Sequence, residues 1–107
     1  MKLYCKTKVV GTTYRPVPWG DMKDRFDKEG EYPLLLVREP TNEYDSNAVM
    51  VCFGELHIGY ISKEWAIGLA RVMDGGTPAR AVVKEITGGR TPDMNHGCNI
   101  EVWLDDE

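Results

Sequence analysis

Asp45, His57 and His96 are the side chains best suited to acid–base chemistry, a carboxylate and two imidazoles. No serine or cysteine beside them has the order of a nucleophile elbow or triad. No acidic pair has the spacing of a nuclease metal motif, so the chain is not expected to be an enzyme. Gly88-Gly89-Arg90-Thr91 has the glycines of a phosphate loop without its Gly-Lys-Ser/Thr ending. Cys5, Cys52 and Cys98 are odd in number and far apart, which does not suit a disulfide framework or a zinc knuckle. They are expected to be buried, reduced thiols. His96-Gly97-Cys98 supplies two metal ligands at most, so neither a metal nor any other cofactor is expected.

A second group of residues suits binding without catalysis. Lys6, Lys8, Arg15, Lys23, Arg25 and Lys28 fall within the first 28 positions, interleaved with Tyr14 and Trp19. Cations that follow a phosphate backbone and rings that stack on bases have this composition. Asp21, Asp24 and Asp27 interrupt the set, and a solvated face explains it equally well. Overall charge limits the partner. With 13 Lys+Arg against 17 Asp+Glu the net charge is -4, and the last three residues, Asp105-Asp106-Glu107, are all acidic. A globally basic nucleic-acid binder is excluded, whereas a local basic patch is not.

These residues must be held by one domain, since the chain has 107 residues. No apolar run approaches the roughly 20 residues of a membrane span, and Met1 to Lys6 meets charge too early for a signal peptide. A cytoplasmic protein with no membrane partner is expected. Lys6 to Gly11 reads as a strand entering a turn. Asp21 to Lys28 has Met22 and Phe26 four apart, enough for one or two helical turns. Leu34 to Val37 is a short apolar run that reads as a strand buried on both faces. Ala48 to Phe53 and Glu55 to Ile61, separated by Gly54, predict a hairpin. Ser62 is a good N-cap for a helix to Asp74, with Trp65, Leu69, Val72 and Met73 on one face. Gly75-Gly76 should stop it with a left-handed cap. Ala79 to Ile86 and Cys98 to Trp103 supply two more strands. Trp65 and Trp103 are expected in the core, while Trp19 between Pro18 and Gly20 is not assigned to core or surface.

The fold class that follows is mainly β. We expect a small, OB-like or SH3-like, partly open barrel of five or six strands with one inserted α-helix over an opening.

Residues 38 to 61 carry the most information. Arg38-Glu39-Pro40-Thr41-Asn42-Glu43-Tyr44-Asp45-Ser46-Asn47-Ala48-Val49 is followed by Gly54 and by Ile58-Gly59-Tyr60-Ile61. Taken alone the first part is a rigid turn, because Asn42 and Asp45 can each bond backbone two residues on. Together with Val9-Val10-Gly11 before it and a helix ending in Met73-Asp74, the order resembles the HIRAN domain. The resemblance covers roughly residues 6 to 76, with the last two strands matching by pattern. It makes 1–107 a single HIRAN-like domain with a short acidic C-terminal end.

What the resemblance implies is a nucleic-acid-binding module that recognises the 3′-hydroxyl end of single-stranded DNA in repair or processing. Its partners would be that end and, in larger systems, a separate helicase or nuclease chain. By position, Tyr14 matches the base-stacking residue, with Arg15 beside it. Asn42 and Asp45 match the groups that bond the terminal hydroxyl and sugar, and Tyr60 matches a groove residue. A carboxylate can accept a hydroxyl proton but repels a phosphate, so Asp45 would select an unmodified end. Thr13 and Tyr60 depart from a motor-associated member, which has arginine and histidine there. A protein-interaction or assembly domain on the same barrel, without DNA binding, is the alternative. Convergence of Tyr14, Arg15, Asn42, Asp45 and Tyr60 on one cleft favours the first reading. Use of Asn42 and Asp45 in capping their own loop favours the second.

Overall fold

The computed structural model describes residues 1–89 and 95–105. Its elements run β1 (Lys2–Lys8), a short 3-10 turn (Thr12–Tyr14), α1 (Trp19–Glu29), β2 (Pro33–Arg38), β3 (Val49–Phe53), β4 (Leu56–Tyr60), α2 (Lys63–Asp74), β5 (Ala79–Thr87) and β6 (Gly97–Leu104). The six strands form one antiparallel sheet in the order β1-β6-β5-β2-β3-β4. This is the expected partly open barrel. Of the phosphate-loop-like run, Arg90 and Thr91 lie outside the described residues, as do Asp106 and Glu107 of the acidic end.

The two edges of the sheet meet at one point. Val9 donates its amide to Cys98 of β6, and the next residue changes partner. Val10 and Tyr60 exchange both backbone hydrogen bonds, each 2.9 Å, so the chain leaving β1 touches β4. Gly59 permits this approach. A Cβ on it would collide with the Val10 carbonyl oxygen and lie 2.6 Å from Val9 Cγ1.

The β3–β4 hairpin turns on Gly54 and Glu55. Gly54 has φ 61 and Glu55 does not have a positive φ, which is the type II′ pattern. Alternation on β6 is clean: Cys98, Ile100, Val102 and Leu104 point inward to a core shared with Leu34, Val49, Val51, Ile58, Leu69 and Val83. α2 contributes Ala66, Leu69 and Ala70 to that core. Tyr4 of β1 bonds the Trp65 carbonyl at 3.2 Å and meets its ring edge-on at 5.9 Å. All three cysteines are buried and free, and burial pushes the Cys5 and Cys98 thiols up to about 11 and about 12.

Several sequence expectations need correction. The second helix read at Asp21 to Lys28 is longer than one or two turns, since α1 runs for 11 residues. Met22 is fully buried beneath it and its carbonyl accepts from the Tyr32 hydroxyl at 3.0 Å, so tertiary contact extends a weakly patterned helix. β1 begins at Lys2, ahead of Lys6, since a bulge between Leu3 and Cys5 hides its alternation. β2 is buried on one face only: Leu34 is inside, but Leu35 and Val37 are 58% and 40% exposed. Both point away from the core, and no element covers the outer face there. Trp103 also points outward, partly exposed, with its indole N–H on Glu101 at 3.2 Å, because the β6 alternation places Val102 and Leu104 inside. Trp19 packs partly against the core and stacks on His96 at 5.2 Å.

The caps of α2 also differ in detail. Ser62 precedes the helix, yet its hydroxyl makes no cap bond and is buried without a partner; its carbonyl receives the Trp65 and Ala66 amides. At the other end Gly75 stays right-handed and Gly76 has φ 100. Thr77 donates to Val72 and Gly76 to Met73, so the expected left-handed stop is a Schellman closure with Gly76 as the left-handed residue.

Gly59→Ala should therefore lower stability by about 1–3 kcal/mol, the usual cost of overpacking. It should also expose the Val10 amide to hydrogen exchange. Unchanged denaturation and unchanged exchange would contradict the closure at this point.

Candidate nucleic-acid interface

The loop from Glu39 to Ala48 leaves β2 and returns to β3, and it is closed at its base by Glu39 donating to the Ala48 carbonyl at 3.0 Å. Inside it, Asn42 organises the backbone. Its Oδ1 accepts the amides of Tyr44 (2.8 Å) and Asp45 (3.0 Å), and Asp45 Oδ1 accepts that of Asn47 (2.9 Å). The Asn42 Nδ2 donates to Glu39 Oε1 and, at 3.4 Å, to the Tyr60 hydroxyl. Asn42 is thus fully used by the loop, whereas Asp45 Oδ2 has no partner among the described residues.

Tyr60 links this loop to the point where the sheet edges meet. Its hydroxyl donates to Glu39 Oε1 at 2.8 Å, and its ring lies under the Arg15 guanidinium, 5.5 Å from the centroid. His57 packs edge-on against the same ring at 4.7 Å, with its Nε2 2.8 Å from the Gly59 carbonyl. Gly11, at φ 76, starts the turn that brings Arg15 here, and a Cβ there would touch Tyr60 Cδ2 at 3.8 Å. Met50 lies opposite Tyr60 and Val37 opposite Met50, so Arg15 covers one end of an otherwise apolar outer row.

An open cleft of about 550 Å³ results, a size typical of small-ligand sites. Four of the five residues singled out from sequence line it: Arg15, Asn42, Asp45 and Tyr60. Tyr14 does not. It stands one residue away with its ring 90% exposed. The sequence reading missed seven of the eleven lining residues, and three of those seven bear most on binding. Glu39 anchors the loop, Lys63 opens α2, and Tyr44 holds a ring 84% exposed. A large aromatic inside a turn of Asn, Glu, Asp and Ser, with nothing apolar beside it, was the available signal for Tyr44. Nothing local marks Lys63, because only the docking of α2 places it in the cleft.

The basic residues of the first 28 positions do not form one wall. Of that set only Arg15 lines the cleft. Lys23 pairs with Asp27 and Arg25 with Glu29 along α1, and Arg25 lies over Tyr32. Lys6 is 3.9 Å from Glu101, on a separate surface groove with Lys84. Around the cleft, Arg15 and Lys63 face Glu39, Glu43 and Asp45.

Hydrogen bonds from Asn42, and then from Tyr60, hold the Glu39 carboxyl below its ordinary value. Burial, assisted by the Glu39 bond, raises the Tyr60 phenol, and burial with the Arg15 charge lowers His57. Glu39 ionised in this network stabilises the fold above the ordinary carboxylate range. That contribution is lost as pH falls through the lowered value.

A family model described as HIRAN domain matches residues 2–105. Among solved structures, a protein from Lactobacillus plantarum superposes with a TM-score of 0.63 at 23% identity, covering 94% of each chain. The HIRAN domain of human HLTF gives a TM-score of 0.59 at 24% identity, covering 97% of this chain and 80% of that one. These two similarities concern the fold. A search of curated protein sequences returns no match.

Tyr60→Phe removes one of the two donors to Glu39 while keeping the ring under Arg15. The Glu39 carboxyl should then titrate closer to an ordinary glutamate, as read by NMR of its side-chain carbon. An unaltered Glu39 titration in the folded variant would show that the hydroxyl does not hold the charge.

Proposed function

The chain belongs to the HIRAN domain family, and from that premise we propose that it binds nucleic acid, taking the 3′-hydroxyl end of a single DNA strand into the cleft. The observation that carries this reading is the unpartnered Oδ2 of Asp45 at an open cleft flanked by exposed rings and cations. A terminal 3′-hydroxyl can donate to that oxygen. A terminal phosphate placed there would meet Asp45, Glu39 and Glu43 together. Asn42 supports the reading indirectly: with its atoms engaged in the loop, it fixes where Asp45 stands.

Tyr14 and Tyr44 offer exposed ring faces on which a base can stack whatever its identity. Lys63, at the start of α2, adds a cation near the positive end of the helix dipole and suits the phosphodiester behind the last nucleoside. Arg15 and Lys63 are then the cations that Thr13 and Tyr60 do not supply. The domain does no chemistry; it would deliver an end to a helicase or nuclease in DNA repair or processing.

A protein-interaction role without DNA has two observations in its favour, the first being that Asn42 is consumed in its own loop. The second is that Leu35 and Val37 are exposed side by side on the outer face of β2. Mutants of the cleft separate the two readings, because that surface is distinct from Asp45 and Tyr14.

Asp45→Ala should weaken binding of a 3′-hydroxyl strand by about tenfold to hundredfold, the equivalent of roughly 1.5–3 kcal/mol for a hydrogen bond to a charged group. Its preference over a 3′-phosphate strand should shrink with it, both read by fluorescence anisotropy. Equal wild-type affinity for the two ends would defeat the assignment.

Tyr14→Ala should cost about 1–3 kcal/mol of single-strand affinity. Melting should hardly change, since the ring is 90% exposed. A loss of about 3–5 kcal/mol in stability, as for a buried aromatic, or unaltered binding, would remove Tyr14 from the site.

A further inference from the structure

Arg38 makes four side-chain hydrogen bonds, as many as Asn42, yet it does not line the cleft. Its Nε and Nη2 bond the two carboxylate oxygens of Asp74 at 2.9 and 3.1 Å. Its Nη1 bonds the Ala48 carbonyl at 2.7 Å, and Nη2 also reaches the Ser46 carbonyl at 3.0 Å. The guanidinium therefore joins three pieces: the end of β2, the returning limb of the 39–48 loop, and the last residue of α2. The loop holds Asn42, Tyr44 and Asp45, while the helix starts with Lys63. A planar fork with several donors can hold both a carboxylate and two carbonyls, which an ammonium cannot.

We propose that Arg38, locked by Asp74, is the positioning residue that sets the loop against α2 and so fixes the shape of the cleft. The effect on DNA rests on the end-binding reading above; the effect on the loop does not. Asp74 is mostly exposed, with a side chain 58% accessible against 14% for Arg38, so neutralising Asp74 should alter global stability little. What it should change is the placement of the loop. The Tyr44, Asp45 and Asn47 amides bond to Asn42 and Asp45 within that loop, which makes them local reporters.

The test compares Arg38→Lys, Asp74→Asn and the conservative Asp74→Glu in the full chain. Amide hydrogen exchange of Tyr44, Asp45 and Asn47 is measured without DNA, and anisotropy is measured with a short single strand ending in 3′-hydroxyl. Arg38→Lys and Asp74→Asn should speed exchange at the three amides and weaken binding roughly threefold to tenfold, with melting nearly unchanged in Asp74→Asn. Asp74→Glu should restore both. If wild type binds no DNA but exchange still responds, the clamp stands and the end-binding reading fails. If exchange is unaffected in folded variants, whatever the binding, Arg38 does not position the loop and the proposal is overturned.

Discussion

The backbone pair between Val10 and Tyr60 is the constraint on which the rest of the structure depends. An antiparallel sheet of six strands has two edges, and this one brings them together through a single residue on each side. Glycine at position 59 is what allows the approach. Once the pair forms, Tyr60 is fixed between two segments far apart in sequence. Its ring then supports Arg15 from the first loop, and its hydroxyl holds Glu39 at the start of the second. The cleft is a consequence of how the barrel nearly closes.

Within the second loop the polar residues divide their tasks. Asn42 satisfies backbone amides and bridges to Glu39, so it shapes the loop and presents little to a ligand. Asp45 gives one oxygen to Asn47 and keeps the other free among the described residues. Such a loop is organised before anything binds, which reduces the entropy lost on binding. On the end-binding proposal, mixed charge around the cleft would trade attraction for selectivity. Two cations face three carboxylates, an arrangement that suits the tip of a strand better than a long run of phosphates.

Much of this was legible in the sequence because it depends on local chemistry. Gly54 between two apolar runs predicted the hairpin, the spacing of Trp65, Leu69 and Val72 predicted α2, and the Asn and Asp residues predicted a rigid turn. The HIRAN resemblance singled out Tyr14, Arg15, Asn42, Asp45 and Tyr60, of which all but Tyr14 line one cleft. Features that depend on tertiary docking were not legible. Lys63 joins the cleft only because α2 lies where it does, and Trp103 faces outward because of its register with β5 and β1. The outward face of Leu35 and Val37 could not be told from a buried one, since an apolar run has no alternation to reveal it.

The central claim is that the cleft recognises an end and not a backbone. Competition between a linear and a circular single strand of the same sequence, against a labelled 3′-hydroxyl oligonucleotide, tests this most directly. The account predicts that the linear strand displaces the probe while the circle, which has no end, fails to do so at the same nucleotide concentration. Equal displacement by the circle would contradict it, because contacts along the phosphate backbone would then suffice.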